Sequence, residues 1–335
     1  MIRVAINGFG RIGRMIYRAG CKDKEIQFIA VNDLTDTKTL AHLLKYDSVH
    51  SKFEGEISTT EKSLIINSKE LKVFAEKDPE KLPWKELKID VVIESTGFFA
   101  TKEGSMKHVK AGAKKVLVSA PCKCSSAADF VKTIVYGVNH KSIDKKNDII
   151  LSNASCTTNS LAPLVKVLDD AFKIKSGFMT TAHGYTADQN LVDGPHKDLR
   201  RARSAACNII PTTTGAAKTV AEVLPHLKGK LDGVALRVPV PDGSITDFVC
   251  LVEKETTKEE VNKLLKKAAE KELKGILEYS EEELVSSDIV GNPASGIIDG
   301  KITLVLDKNL IKVFSWYDNE WGYSCRMIDV VKLMM

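Results

Sequence analysis

One cysteine lies in a setting that suits a nucleophile. Cys156 belongs to Ser152–Asn159, a run of small polar residues between the apolar run Ile149–Leu151 and a helical pattern from Leu161. Free N–H groups and the dipole at a helix N-terminus favour a thiolate. The neighbouring hydroxyl and amide groups suit an anion or a developing oxyanion. The pattern predicts a nucleophilic cysteine, and a small buried core residue is the alternative.

A histidine is a candidate base for this cysteine. His183 lies between the predicted strand Phe178–Ala182 and the turn residue Gly184. Imidazole titrates near neutral pH, so it can accept the proton of a thiol. A histidine that serves only the core or the surface is the alternative. With a nicotinamide cofactor, the thiol and the base would support attack on an aldehyde, hydride transfer and a thioester.

The densest cluster of basic residues is a candidate anion site. It spans Pro195–Arg203, and Arg237 and the turn Thr212–Gly215 supply further donors. Guanidinium groups and turn N–H groups bind phosphate-like anions. A solvated face or an oligomer contact is the alternative. The cluster has no aromatic neighbour, so we expect no dedicated nucleic-acid site.

A glycine fingerprint follows the first strand candidate. Gly8, Gly10 and Gly13 form G-x-G-x-x-G before the helical stretch Arg14–Ala19, and Asp33 ends the second strand about twenty residues later. Gly8 allows the turn, Gly10 lets the backbone approach a pyrophosphate, and Gly13 lets helix and strand pack. Asp33 would bind the ribose hydroxyls and repel a 2′-phosphate, which favours NAD over NADP. A glycine-rich turn with an incidental aspartate is the alternative.

A metal site is not expected. Cys122 and Cys124 lie near His108 and His140 in the sequence, but their spacing matches no strong zinc pattern.

The elements that must position these residues show two different sequence patterns, one in each half of the chain. Over residues 1–152, short Val- and Ile-rich runs alternate with amphipathic stretches, which predicts an α/β Rossmann-type doubly wound domain. The strand candidates there are Ile2–Ile6, Gln27–Val31, Asp90–Glu94, Lys115–Val118, Ile134–Val138 and Ile149–Leu151.

After residue 152 the strand candidates become longer, which predicts an α+β domain with a largely antiparallel or mixed sheet. They are Gly177–Ala182, Gly233–Pro239, Thr246–Val252, Ile302–Leu306 and Leu310–Trp316. Thr257 and Glu260 form a predicted capping box for a helix that we expect to end at Gly275.

Composition limits the class of protein. The chain has 335 residues, 43% hydrophobic and 28% charged, with a net charge of +5. This balance is typical of a soluble two-domain protein and excludes a disordered one. Seven cysteines give no paired framework, and no apolar run is long enough for a membrane span. With no leader pattern at Met1, these features favour a soluble protein of the reducing cytoplasm.

Five segments together resemble the phosphorylating glyceraldehyde-3-phosphate dehydrogenase family, and the resemblance covers essentially the whole chain. They are Ile6–Arg14, Ser152–Asn159, His196–Arg203, Thr212–Lys218 and Ser315–Ser324. The resemblance implies a homotetramer of glycolysis that uses NAD. It would oxidise D-glyceraldehyde 3-phosphate, with inorganic phosphate, to 1,3-bisphosphoglycerate.

The resemblance also implies a role for each matching residue. Cys156 would be the nucleophile that forms a thiohemiacetal and then a thioester, and His183 would be its base. The attacking phosphate is expected at Ser155, Thr157, Arg201, Thr214 and Gly215, and the phosphate of the substrate at Thr186 and Arg237. The residues expected at NAD are Gly8, Gly10, Arg11, Ile12, Gly13, Asp33, Lys77, Ser119 and Asn319, the last orienting the nicotinamide amide.

The expected domains are an NAD-binding domain at 1–152, a catalytic domain at 153–318, and a C-terminal helix at 319–335 that returns to the first. The segment His183–Arg203 is similar to the S-shaped loop of the family, which packs between subunits. Two features depart from the family: Ser160 replaces a frequent second cysteine, and Cys122–Thr133 is a few residues longer. Pro195 matches the NAD-preferring pattern.

Two other functions stay open. Erythrose-4-phosphate dehydrogenase shares the fold, the cysteine and the cofactor, but we would not expect the phosphate donor Thr186 in it. A non-enzymatic NAD-binding protein, acting in redox sensing or RNA binding, needs only the fingerprint and Cys156. That function leaves His183 and Asn319 without a role.

Overall fold

The computed structural model describes all residues from Met1 to Met335, with seventeen strands and eight helices. The strands are β1 (Ile2–Asn7), β2 (Ile26–Asn32), β3 (Ile57–Thr59), β4 (Ser63–Ile66), β5 (Lys69–Phe74), β6 (Val91–Glu94), β7 (Lys115–Val118), β8 (Lys132–Thr133), β9 (Ile150–Ser152), β10 (Ile174–Gly184), β11 (Ile210–Thr213), β12 (Leu231–Val238), β13 (Ser244–Val252), β14 (Leu277–Ser280), β15 (Gly296–Asp299), β16 (Leu304–Leu306) and β17 (Leu310–Tyr317). The helices are α1 (Arg11–Gly20), α2 (Thr37–Lys45), α3 (Lys102–Lys110), α4 (Cys156–Phe172), α5 (Ala216–Val223), α6 (Lys258–Glu270), α7 (Ser286–Ile289) and α8 (Trp321–Met334).

The first of two compact units comprises Met1–Ile134, His140–Ala154 and Ser324–Met335. Its nine-stranded sheet has the order β3-β4-β5-β2-β1-β6-β7-β9-β8. In this order, all neighbouring strands from β5 through β2, β1, β6, β7 and β9 to β8 are parallel. The edge strands β3 and β4 pair in antiparallel fashion with each other, and β4 does so with β5. The chain runs outward from β1 in both directions, as in a doubly wound Rossmann-type sheet. The predicted α/β class is therefore confirmed.

Buried apolar residues hold this sheet together. Ala5, Ala30 and Val92 from three adjacent strands pack with the buried indole of Trp84. Continuous apolar strands of this kind are typical of a parallel sheet covered on both faces. The C-terminal segment Ser324–Met335 packs on the same unit, where a Cβ at Gly20 would lie only 2.5 Å from Ile328.

The second unit comprises Val135–Asn139 and Ser155–Tyr323. Its sheet has the order β11-β12-β10-β13-β17-β15-β14, and β16 pairs with β17. The β10–β12 and β14–β15 pairs are parallel and the others antiparallel, so the predicted mixed sheet of an α+β domain is confirmed. In the β10–β12 register, His183 lies opposite Arg237.

Several predicted element bounds were wrong. Helix α4 begins at Cys156 rather than near Leu161, and it continues through Pro163 at the loss of one backbone donor. The capping box at Thr257 is present, but the helix ends at Glu270, before Gly275. The predicted strand Ile134–Val138 is not formed. None of the helices combines the length and apolar character needed to cross a membrane.

Candidate active site

Cys156 is the first residue of α4. Ser155 caps this helix, because its hydroxyl accepts the backbone N–H of Thr158 at 3.1 Å. The side chain of Cys156 therefore projects from a capped helix N-terminus, as the sequence predicted. Its Sγ lies 3.4 Å from Nε2 of His183 and 4.0 Å from the hydroxyl of Thr157.

The two nitrogens of His183 have different partners. Nδ1 lies 2.7 Å from the carbonyl oxygen of Gly184, which can only accept, and 3.1 Å from Nη1 of Arg237, which can only donate. The shorter contact favours the tautomer with the proton on Nδ1. In the neutral ring, Nε2 is then left with its lone pair directed at Cys156. This tautomer makes His183 a proton acceptor for the thiol, as expected of a general base.

Desolvation opposes the charged form of both partners. It raises the pKa of the Cys156 thiol above its ordinary value, and the nearby charge of Arg237 offsets this only in part. Burial, with the charge of Arg237, also lowers the pKa of His183 to about 4. For the thiol, desolvation therefore opposes the helix terminus, which favours the thiolate.

Arg237 lies beside the histidine and links it to Thr186. Its Nη1 lies 3.1 Å from Nδ1 of His183, donates to the carbonyl of Gly184 at 3.2 Å, and donates to the hydroxyl of Thr186 at 3.0 Å. The two residues that the sequence assigned to the substrate phosphate are thus brought together. They present a guanidinium and a hydroxyl next to the cysteine–histidine pair.

An aspartate that the sequence analysis missed connects the two sets of anion donors. Asp188 accepts a hydrogen bond from Thr186 and forms an ion pair with Arg201. Burial alone would raise the pKa of Asp188, but the Thr186 hydroxyl and the charges of Arg237 and Arg201 lower it below its ordinary value. Asp188 thus forms an ion pair with Arg201 and lies within electrostatic reach of Arg237.

The basic cluster and the threonine turn also meet. Nε of Arg201 donates to Thr212 at 2.9 Å and lies 3.4 Å from the carboxylate of Asp198. The chain continues through Thr214 to Gly215, the N-cap residue of α5, which has no capping side chain. A Cβ at Gly215 would meet nothing within 4 Å, so this helix N-terminus is open to an anion.

Ser155 and Thr157 have hydroxyl groups that are already engaged. The Ser155 hydroxyl lies 2.8 Å from that of Thr158, in addition to its capping bond. The Thr157 hydroxyl lies 2.9 Å from the phenol of Tyr317, which is fully buried. Both residues flank Cys156, and both hydroxyl groups already have partners within the protein.

Asn319 follows β17 in this second unit. Its Oδ1 accepts the hydroxyl of Ser244, and that same hydroxyl accepts the backbone N–H of Gly184 at 3.1 Å. Both Ser244 and Asn319 are buried. The amide assigned to the nicotinamide is thus connected to the residue whose carbonyl orients His183.

In the first unit, the glycine loop has the geometry that a dinucleotide needs. Gly8 has a φ of 90°, and a Cβ there would lie 2.8 Å from the backbone of Thr96. A Cβ at Gly13 would lie 2.1 Å from the carbonyl of Gly8, whereas one at Gly10 would meet nothing within 4 Å. Gly8 and Gly13 thus pack against neighbouring backbone, whereas the space next to Gly10 is open. Gly10 is the N-cap residue of α1 and has no capping side chain.

The other residues assigned to NAD in this unit follow the carboxyl ends of its strands. Asp33, after β2, accepts the N–H of Phe9 at 2.8 Å, so it lies against the glycine loop. Ser119 follows β7, and the exposed Lys77 lies in the loop after β5. Of the two residues at the start of α1 that are expected to contribute backbone groups, Ile12 is half-buried and Arg11 has its guanidinium paired with Asp47. Ligands of doubly wound sheets bind at this edge.

A second buried histidine lies in this unit. Nδ1 of His108 accepts the indole N–H of Trp84 at 3.0 Å, so Nε2 carries the proton and donates to Glu94 at 3.1 Å. Glu94 also accepts the amide of Asn7 at 2.6 Å. His108, considered above for a metal site with Cys122 and Cys124, thus has both nitrogens engaged.

Three residues of the second unit were missed from the sequence: Asp188, Ser244 and Tyr317. Asp188 carried a weak signal, because it lies two residues after Thr186 in the predicted anion site. Ser244 and Tyr317 carried none, because they reach the site only through the register of β13 with β17, where they are paired.

A doubly wound dinucleotide-type unit and a unit with a cysteine–histidine pair among anion donors define the class of cysteine-dependent, NAD-linked dehydrogenases. The family comparisons specify it further. Residues 2–102 match the model "Glyceraldehyde 3-phosphate dehydrogenase, NAD binding domain", and residues 155–319 match the corresponding C-terminal domain. The chain belongs to the glyceraldehyde-3-phosphate dehydrogenase family.

Curated relatives align with this chain over nearly their full length. The glyceraldehyde-3-phosphate dehydrogenase of Geobacillus stearothermophilus is 57% identical over 329 residues, which cover 98% of this chain and 97% of the relative. Glyceraldehyde-3-phosphate dehydrogenase 2 of Trichormus variabilis is 57% identical over 337 residues, 100% of this chain and 98% of the relative. Glyceraldehyde-3-phosphate dehydrogenase 2 of Bacillus subtilis is 53% identical over 331 residues, 99% of this chain and 96% of the relative.

Proposed function

We propose that this chain oxidises D-glyceraldehyde 3-phosphate with NAD and inorganic phosphate, and that Cys156 and His183 carry the chemistry. The observation that supports these roles most directly is the 3.4 Å approach of Sγ to an Nε2 whose lone pair is available. A thiol held against a neutral imidazole is an activated nucleophile for a carbonyl carbon.

The residues act in sequence on the substrate. His183 accepts the thiol proton as Sγ bonds to the aldehyde carbon, and it returns that proton to the carbonyl oxygen to complete the thiohemiacetal. It then removes the hydroxyl proton, so that the C–O double bond reforms and a thioester is left on Cys156. NAD, when bound, supplies the acceptor for the hydride that leaves this carbon. Inorganic phosphate attacks the thioester, and the acyl phosphate departs as the cysteine sulfur is released.

The residues at the carboxyl edge of the first sheet fit NAD. The missing Cβ at Gly10 leaves room for a pyrophosphate at the uncapped start of α1, where the backbone of Arg11 and Ile12 would contribute. The carboxylate of Asp33 suits ribose hydroxyls and repels a 2′-phosphate. Lys77, Ser119 and, in the second unit, Asn319 complete the proposed set.

Two phosphate positions are proposed in the second unit. Arg237 and Thr186 would bind the phosphate of the substrate, because a guanidinium and a hydroxyl are already joined there at 3.0 Å. Arg201, Thr214 and Gly215 would bind the attacking phosphate at the open N-terminus of α5, together with Ser155 and Thr157 near the sulfur. Thr186 and Arg201 would exchange their hydrogen bonds to Asp188 for bonds to the ligand.

The first experiment follows NADH absorbance after addition of glyceraldehyde 3-phosphate and NAD, with and without inorganic phosphate. The wild type and Cys156→Ala are compared, with Cys250→Ala as the matched control because Cys250 is a buried thiol on β13. We expect phosphate-dependent NADH formation that is abolished only in Cys156→Ala. Formation that is indifferent to phosphate would contradict the phosphorylating reaction.

Erythrose 4-phosphate as a parallel substrate tests the assignment of the aldehyde. Faster turnover of the four-carbon sugar phosphate would overturn the three-carbon substrate. Absence of activity with either sugar phosphate, together with RNA binding that is unaffected by Cys156→Ala, would favour a binding protein.

We also propose that the chain forms a homotetramer in the reducing cytoplasm. The segment after β10 exposes Leu191 at 70%, Val192 at 73% and Leu199 at 82%, which is more apolar surface than a monomer usually leaves in water. All seven cysteines are free thiols, as a reducing compartment requires. Sedimentation at equilibrium tests the assembly, and a monomer at all concentrations would contradict it.

A further inference from the structure

We infer that Ser244 is a positioning residue that fixes the amide of Asn319 with its NH₂ group presented to the nicotinamide carboxamide. This inference rests on the proposed function, in which Asn319 contacts that group. It concerns the direction in which the amide is held and the residue that holds it.

The hydroxyl of Ser244 has only one proton, and its surroundings decide where that proton goes. The backbone N–H of Gly184 occupies a lone pair of the hydroxyl at 3.1 Å, and a backbone N–H can only donate. The remaining proton is given to Oδ1 of Asn319. With Oδ1 engaged in this way, Nδ2 lies on the other side of the Cβ–Cγ bond and points away from Ser244.

Burial makes this arrangement specific. Ser244 is 0% exposed and Asn319 is 4% exposed, so water does not compete for the hydroxyl. An amide that could turn over would present an acceptor or a donor equally well. Held by Ser244, it presents only a donor, which suits the carbonyl oxygen of a carboxamide.

The same chain of hydrogen bonds reaches the base. Gly184 donates its N–H to Ser244 and accepts Nδ1–H of His183 with its carbonyl at 2.7 Å. One glycine thus orients both the proton acceptor and, through Ser244, the amide proposed to hold the cofactor. This relation has no counterpart in any short sequence motif, because β10, β13 and the segment after β17 each contribute one member.

The test compares Ser244→Ala with Thr246→Val. Thr246 lies two residues farther along β13, is equally buried, and its hydroxyl has no hydrogen-bond partner. The probes are NAD, thionicotinamide adenine dinucleotide, whose sulfur is a poor acceptor, and 3-acetylpyridine adenine dinucleotide, which keeps the carbonyl oxygen. Steady-state kinetics with glyceraldehyde 3-phosphate are measured for each, together with the thermal midpoint of each variant.

We expect Ser244→Ala to raise KM for NAD rather than for the aldehyde, and to reduce the preference for NAD over the thio analogue by about fivefold, as the loss of one neutral hydrogen bond predicts. In Ser244→Ala, the preference for NAD over the acetylpyridine analogue stays unchanged. Thr246→Val matches the wild type with all three dinucleotides. Ser244→Thr, which keeps the hydroxyl, retains the wild-type preference and keeps the test decisive if Ser244→Ala does not fold.

Two results would overturn the inference. One is an unchanged preference in Ser244→Ala despite a lower thermal midpoint, which would leave Ser244 with a structural role only. The other is an equal loss of preference in Thr246→Val. A wild type that reduces none of the three dinucleotides would instead reject the proposed function, so the two failures are distinguishable.

Discussion

The two compact units each bury one histidine in a hydrogen-bond network, and the two rings are protonated on opposite nitrogens. His108 accepts from Trp84 at Nδ1 and donates from Nε2 to Glu94, so both of its nitrogens are satisfied within the protein. His183 donates from Nδ1 to a carbonyl and directs the lone pair of Nε2 at a thiol. Burial alone therefore does not separate a structural histidine from a catalytic one. The partner of the second nitrogen does.

Replacing the histidine of the second unit tests this contrast most severely. His183→Asn removes the proton acceptor, so we expect kcat to fall about 10²- to 10⁴-fold, the usual contribution of general-base catalysis. Alkylation of Cys156 by iodoacetamide at neutral pH should slow as well, because the thiol loses the group that takes its proton. The measurements are steady-state kinetics and the rate of thiol modification. An unchanged kcat would remove the distinction between the two rings.

Removing the cation next to His183 sharpens the comparison. Arg237→Ala loses a charge-assisted contact to phosphate, so KM for the aldehyde should rise about ten- to hundredfold. KM for NAD should change far less, because the proposed role of Arg237 concerns the substrate phosphate. The measurement is KM for each of the two substrates. The control is Lys312→Ala, which removes an ion pair elsewhere on the same sheet. Equal effects on the two KM values would contradict the placement.

The histidine of the first unit should affect stability instead of turnover. His108→Leu removes the partner of the Trp84 indole N–H and one of the donors to the buried carboxylate of Glu94, at a cost of about 1–3 kcal/mol. For a chain of this size, that lowers the thermal midpoint by several degrees, which calorimetry would detect. We expect kcat at saturating NAD to be retained. A large loss of kcat without a change in the midpoint would reverse the contrast.

Acid titration gives the smallest of the expected effects. Because burial lowers the pKa of His183 to about 4, the unfolded chain binds a proton below about 6.5 that the folded chain does not. Stability from this group is therefore complete above the unfolded pKa and is lost as the pH falls toward 4. At pH 5 the loss is about 2 kcal/mol. The thermal midpoint of His183→Asn should thus fall less than that of the wild type between pH 7 and pH 5, and parallel curves would contradict this.

The sequence predicted those parts of the molecule that depend on neighbours along the chain. The glycine loop, the mixed second sheet, the helix that Cys156 begins and the capping box at Thr257 all follow from local patterns. Their bounds were less accurate, since α4 begins five residues early and its helix contains Pro163. Packing of a buried helix against the sheet outweighs the lost backbone donor.

What the sequence did not predict depends on pairing across the sheet. Asp188 forms an ion pair with Arg201, 13 residues away, and interacts electrostatically with Arg237, which lies farther along the chain. For Cys156, the sequence shows the helix terminus that favours a thiolate but not the desolvation that raises the pKa of the thiol. Local rules give the chemical type of a residue, whereas its protonation follows from neighbours that only the folded chain provides.

The register of β10 with β12 has a consequence for how activity appears during folding. His183 and Arg237 occupy the same rung of a parallel pair, and a slip of two residues would carry the guanidinium about 6–7 Å away from the ring. Parallel pairing closes a long loop and forms slowly compared with helices. Helical signal should therefore return early in refolding, and dehydrogenase activity should return only when this rung has closed.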